Sequence, residues 1–319
     1  MGAGASADFG VPTLRGIFKD IRAVQHLTDD NWLLKHLREI FWHPRGFDWE
    51  TSERSLTIEE MLTILRDWEL ETAVTPKLSA DELRRFRKSL YVLIFRALFV
   101  GKSTRAEHLN QLIKFANNNF NHTTWASFNW DCIFESSYWY TRGGNPTLGV
   151  NIANWRNGST SHLLLKLHGS LNWWMINNVL TYLRFSGSGN LRGQWSKFMG
   201  ETSPTDCPVI LEPSYYKYED DVYKIVEPQW RMFLERLVQA DYVLIIGYSL
   251  PSADSQARSK LLTAFQANTK ARWGIIDPNP EICSTYGRLF GITRLKTFVG
   301  SLVGFNNAFA DNFKALFKP

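Results

Sequence analysis

The chain has 319 residues, 44% hydrophobic and 21% charged, with a formal net charge of +5. That length can bury a sizeable core in one large or two smaller domains, and the mild charge, spread rather than clustered, gives no argument for a nucleic-acid partner. No apolar run reaches the roughly 18 residues that a membrane span needs, and three widely spaced cysteines, Cys132, Cys207 and Cys283, cannot build a Cys-rich zinc site.

Sparse, unpatterned cysteines fit a reducing cytoplasm, which is the expected location. No signal peptide is visible, and neither a membrane partner nor a metal is expected. Met1–Ser6 satisfies the loose myristoylation pattern, but its glycines have a better explanation. The 13 tryptophans read as core and interface residues rather than base-stacking platforms.

Residues 2–15 read GAGASADFGVPTLR. A Gly/Ala-rich loop leads to Leu14, Ile17, Phe18 and Ile21 at helical spacing, with Pro12 as a first-turn residue. A glycine loop feeding a helix can bring backbone N–H groups close to a diphosphate; a loose N-terminus is the plainer reading. Such a loop normally follows a buried strand, and here only Met1 precedes it.

From about residue 16 to 118 the pattern is helical. Thr57-x-x-Glu60 and Ser79-x-x-Glu82 are capping boxes. Gly101 is a candidate C-cap after the run 82–100, and Pro44 and Pro76 mark breaks.

Thr123–Phe128 is strand-like and ends in Asn129-Trp130-Asp131, with a helix to about Trp139. Asn and Asp there can hold ribose hydroxyls or a water, or Asp131 can simply form an Asx turn that caps the helix. Residues 163–173 read LLLKLHGSLNW: an apolar run with one lysine, ending at His168-Gly169. This predicts a buried strand of a parallel sheet with His168 just beyond its carboxyl end, where ligands sit in open α/β sheets. A lone His there is either a base or a hydrogen-bonded loop residue. Leu171–Ile176 and Val179–Phe185 flank Asn177-Asn178 as a hairpin. Pro208–Pro213 predicts a short strand, and 222–240 a helix broken or restarted near Pro228.

The last third alternates. A strand at 241–246 precedes GYSLPSAD and a helix to about Ala267. A second strand at 272–276 ends in Asp277-Pro278-Asn279, before a short helix, a strand near 295–299 and a C-terminal helix. Such alternation predicts a parallel, doubly wound sheet. An acidic residue in the place of Asp277 suits ribose hydroxyls.

Taken in order, these segments resemble the sirtuin family. GAGASADFGVPTLR looks like its GAGxS loop, FNWD like its Asn-x-Asp element, and KLHGS like its His-Gly element. GYSL looks like its later glycine–serine loop, and IIDPNP like its ribose-contacting strand end. The resemblance implies an α/β fold with a Rossmann-like parallel sheet, spanning 1–319 as one NAD-binding domain. A helical insertion would occupy about 28–118 and a hairpin insertion about 171–207.

It also implies site roles. Ala3, Gly4 and Ser6 would contact the NAD phosphates, with Arg15 on a loop closing over the nicotinamide side. Asn129 and Asp131 would position the nicotinamide ribose and a water, with His168 as base. Gly247 and Ser249 would meet the adenosine half, and Asp277 its ribose. Two features depart from the deacylases: the four-cysteine zinc module is missing, and Thr13 replaces the acidic residue before Leu14-Arg15. Both are similar to the zinc-less bacterial branch, whose members deplete NAD during phage infection. The expected activity is therefore NAD hydrolysis to ADP-ribose and nicotinamide, with NAD as substrate and no zinc, and with a regulatory protein or self-assembly holding it in check. A non-catalytic NAD or ADP-ribose sensor, and a protein deacylase or ADP-ribosyltransferase, are the alternatives.

Overall fold

The computed structural model describes residues 1–7, 9–12, 17, 31–41, 58–70, 78–98, 107–142, 147–148, 162–176, 179–182, 207–211, 221–251, 254–291, 295–306 and 308–317. A short helix α1 (Ala3–Ala7) is followed by helices α2 (Asn31–Ile40), α3 (Ile58–Leu70), α4 (Ala80–Leu98) and α5 (Glu107–Asn119). The predicted capping box opens α4: Ser79 N donates to Glu82 Oε2 at 2.8 Å, and Glu82 N donates back to Ser79 Oγ at 3.3 Å. Leu83, Phe86, Leu90 and Ile94 then form a buried stripe at helical spacing. Thr57, Gly101, Pro44 and Pro76 lie outside the described residues.

Three parallel strands follow, β1 (Thr123–Ser127), β2 (Thr147–Leu148) and β3 (His162–Lys166), in spatial order β1-β3-β2, with helix α6 (Ile133–Arg142) after β1. The register runs from Thr123 opposite His162 to Ser127 opposite Lys166. The chain then reverses into an antiparallel sheet of β4 (Gly169–Ile176), β5 (Val179–Tyr182) and β6 (Cys207–Ile210), ordered β5-β4-β6. Ile176 faces Val179 across the predicted hairpin, and the predicted PVILEP strand is β6.

Helix α7 (Asp221–Gln239) leads to the second parallel sheet, β7 (Tyr242–Ile246), β8 (Arg272–Asp277) and β9 (Leu295–Val299), in that order. Helices α8 (Ser255–Ala267) and α9 (Pro280–Phe290) connect its strands, and α10 (Leu302–Asn306) and α11 (Phe309–Phe317) end the described chain. The fold is mixed α/β with parallel sheets.

Both faces of these strands are covered, which is why they read as continuous apolar runs. Alternate residues point to opposite cores. Leu164, Ile246 and Ile276 belong to the core that also holds α2–α6, α10 and α11, while Leu163, Leu165, Ile245 and Ile275 belong to the core with α7, α8 and α9. Among the described residues no helix is long and apolar enough to cross a membrane.

Three expectations are corrected. The glycine segment, expected as a loop, is helical from Ala3 to Ala7, whereas the helix expected beyond Pro12 lies, apart from Ile17, outside the described residues. Ala5 N–H finds the Gly2 carbonyl at 3.0 Å, so the Ala-rich stretch closes a turn at once. Helix α7 runs unbroken through Pro228. The proline removes one ladder bond, but burial of Val226, Gln229 and Trp230 around it holds the helix together. The single C-terminal helix is two, α10 and α11.

Candidate functional site

Five segments meet at the carboxyl ends of the parallel strands. The first is the glycine segment. Gly2 N donates to Ile246 O and Gly4 N to Gly247 O, both at 2.9 Å, which docks α1 on the end of β7. Glycine is needed on both sides. A Cβ on Gly247 would lie 2.1 Å from Ala5 N, and Gly247 itself has φ +57°. A Cβ on Gly2 would lie 2.6 Å from Gly247 O. Gly247 and Gly4 thus touch each other rather than lining open space, and the Gly4 N–H is spent inside the fold. Ala3 is exposed beside them, Ser249 is exposed on the next loop, and Arg15 lies outside the described residues.

The second segment follows β1. Asn129 Nδ2 donates to the buried Ser6 Oγ at 2.8 Å, which ties the FNWD element to the glycine segment. The Asn129 Oδ1 is thereby left as the acceptor of that carboxamide. Asp131 is buried, and its Oδ1 accepts from Ile133 N at 3.0 Å, an Asx turn at the start of α6. The structure thus gives the Asp131 carboxylate the capping role.

His168 forms the third segment. Gly169 follows at φ +77°, where a Cβ would meet Val209 O at 1.9 Å, so the reversal out of β3 requires glycine. The His168 Nδ1 lies 3.0 Å from Phe128 O. A carbonyl only accepts, so Nδ1 carries the donating proton and Nε2 is the ring's basic nitrogen. Nε2 lies 3.0 Å from Asp254 Oδ2 without the alignment of a hydrogen bond. The ring is half-buried between Phe128 and Trp230, at centroid distances of 5.6 and 5.7 Å. Because the His168 ring grips the carbonyl of the residue just before Asn129, imidazole and carboxamide share one stretch of rim.

Three residues that complete this arrangement were not predicted. Asp254 follows the GYSLP turn; its Oδ2 also accepts from Tyr248 Oη at 2.6 Å. Tyr248 stacks on Phe128 at 3.9 Å, and burial first, then the Asp254 charge, pushes its phenol well above the usual range. Lys166 is fully buried under the rim. Its ammonium donates to the Asp131 carbonyl and lies 3.3 Å from Glu135 Oε1. Burial acts to lower the Lys166 pKa, but Glu135, Cys132 and Asp131 together outweigh it and raise it above the ordinary value. A lysine inside the run LLLKL was the available signal for such a partner. Asp254 had the weaker signal of an acid at the end of GYSLPSAD, and Tyr248 had none.

Asp277 ends β8 beside this group, since Gly247 N donates to Ile276 O at 2.9 Å. Its Oδ1 accepts from Asn279 N at 2.9 Å, and burial raises its pKa against that bond. Among the described residues no three His, Cys, Asp or Glu side chains gather as a metal site. No protein-family model matches the chain, and no curated protein matches it.

Proposed function

We propose that this protein is a sirtuin-like NAD glycohydrolase with a Rossmann-like nucleotide fold, converting NAD and water to ADP-ribose and nicotinamide without zinc. The observation that carries the reading is the bond from Asn129 to Ser6 beside the His168–Phe128 contact. It joins a glycine turn, a carboxamide and an imidazole along one strand-end rim. NAD would lie across this rim, with the diphosphate near Ala3, Gly4 and Ser6, and the adenosine half toward Gly247, Ser249 and Asp277.

The chemistry needs little acid catalysis. Nicotinamide is a cationic leaving group, so the bond from its ring nitrogen to the ribose C1′ breaks with the electron pair leaving on nicotinamide. The ribose passes through an oxocarbenium-like state, as in glycoside hydrolysis. Asn129 Oδ1 holds the attacking water by one of its hydrogens. The water oxygen forms the new bond to C1′, and its proton goes to His168 Nε2 and then to solvent. The Phe128 carbonyl holds the imidazole by Nδ1 before substrate arrives, and the Asp254 carboxylate, 3.0 Å from Nε2, stabilises the positive ring once the proton has reached it. Asp131 contributes by holding the Asn129 turn. Cytoplasmic action and restraint by a regulatory protein or by self-assembly belong to the same reading.

The test is nicotinamide release from NAD by the purified protein. His168→Ala and Asn129→Ala should each slow it on the order of 100-fold while the fold is retained. Release at the wild-type rate in either variant overturns these roles. A nucleotide sensor without turnover is the second reading, favoured by the spending of the Gly4 N–H on Gly247 rather than on a ligand. Calorimetric binding of ADP-ribose with no product from NAD would select it. Nicotinamide release only in the presence of an acyl peptide would select a deacylase instead.

A further inference from the structure

Independently of any nucleotide, the gap between β1 and β7 has the features of a strand site. Met1 N donates to Ala126 O at 2.7 Å, and Phe128 N donates to Met1 O at 2.9 Å. Those two bonds are one rung of a parallel ladder with Met1 opposite Ser127. On its other side the next residue, Gly2, bonds Ile246 of β7. Met1-Gly2 is therefore paired on both edges, as the end of a central strand would be.

Beyond Met1 the two edges stand apart. Ladder alternation turns the peptide groups of Thr124 and Ala126 toward the gap from β1, and those of Leu244 and Ile246 from β7. Apart from the Met1 and Gly2 bonds, none of the described residues pairs with them there. The gap holds a cavity of about 480 Å³ walled by apolar side chains of three helices, among them Leu112, Phe115, Phe233, Leu237, Phe313 and Phe317. Facing parallel edges with unused peptide groups and apolar walls above and below fit an extended apolar segment, and fit a globular ligand poorly.

We propose that this slot is the seat of a further parallel strand, a short apolar segment joined by a peptide bond to Met1. The two parallel sheets then become one, ordered β2-β3-β1, new strand, β7-β8-β9. The direction is set by Met1, whose nitrogen already lies in ladder position with the segment's path leading away between Thr123–Ala126 and Tyr242–Ile245. Burial first, and then the Lys166 charge, lowers the pKa of the Met1 amine to about 5. A peptide N–H at that nitrogen would keep the bond to Ala126 O without the charge.

The experiment compares three chains: one starting at Met1, one carrying an Ile-Val-Ile-Val prefix, and one carrying a Gly-Ser-Gly-Ser prefix. The apolar prefix should raise the thermal midpoint by about 10 °C over the other two, abolish binding of an apolar dye, and protect the Thr124 and Leu244 amides from hydrogen exchange. If the chain starting at Met1 is insoluble, refolding yield with the two prefixes gives the same comparison. Equal midpoints for the two prefixes, with no new amide protection, overturn the proposal. So does a concentration-dependent midpoint in the chain starting at Met1 that the apolar prefix abolishes, because the slot would then be filled by a second copy.

Discussion

Under the first parallel sheet the protein buries charge; under the second it buries rings. Beneath β1 and β3, Lys166 reaches Glu135 and the Asp131 carbonyl, with Ser170 and Cys132 around them. Beneath β7 and β8 lie Tyr248, Tyr286, Phe265, Trp273 and Phe290, and Tyr286 Oη donates to Tyr248 O at 2.9 Å. Directional bonds therefore aim the first sheet's strand ends, where His168 and Asn129 project. Shape positions the second sheet's ends, where Gly247 and Gly2 allow main chains to touch. In the proposed reaction the aimed half does chemistry and the shaped half holds the nucleotide.

Removing the buried cation should break this contrast most severely. Lys166→Met leaves Glu135 without its counter-charge in a place water cannot reach. The expected loss is about 3–5 kcal/mol by denaturant unfolding. The double change Lys166→Met with Glu135→Leu should recover most of it, since an apolar pair of similar volume carries no desolvation cost. A single variant as stable as wild type would mean that the cluster does not organise the first sheet.

Next in size is the glycine contact of the second half. Gly247→Ala combines a left-handed φ with a Cβ 2.1 Å from Ala5 N. We expect a loss of about 3 kcal/mol together with release of α1 from the sheet. Gly291→Ala is its internal control: φ is +80°, but nothing lies within 4 Å of the added carbon. With ψ at +143° as well, the backbone lies where side chains rarely go, so the change should cost about 2 kcal/mol, the conformational part alone. Equal losses would show that backbone strain, not the close approach, makes Gly247 necessary.

These particulars show where the sequence was legible. The strands β1, β3, β7, β8 and β9 were, because each is a short apolar or β-branched run ended by a polar or glycine-rich turn. The capping box at Ser79 was, because its chemistry is local. Local rules failed where distant residues decide. Pro228 argued for a break that tertiary burial overrides. The partnership of His168 with Asp254 spans 86 residues of chain and leaves no periodic trace. The gap between β1 and β7 was signalled only indirectly, by a glycine segment with no strand ahead of it.

A smaller effect separates the two halves by the strength of single bonds. Tyr286→Phe removes one buried donor from the Tyr248 carbonyl. It should cost about 1 kcal/mol in chemical denaturation, well below the Lys166 variant. A loss as large as that of Lys166→Met would mean that the ring cluster depends on its polar bonds as much as the charge cluster does.

The smallest expected effect is in the acid range and concerns Asp277. Burial raises its carboxyl above the ordinary 3.8, and the Asn279 N–H pulls the other way. Between the ordinary and the folded value, the folded protein holds a proton that the unfolded chain has lost. The stability this proton contributes is full below the ordinary value and is lost as pH rises through the folded one. Asp277→Asn should therefore remove a downward slope of stability with rising pH between those two values, and leave the protein slightly more stable at neutral pH. Unfolding midpoints measured from pH 3 to pH 7 would show it. An unchanged acid profile would mean that water already solvates the carboxylate, and the ground for treating it as a sheltered acceptor of ribose hydroxyls would be gone.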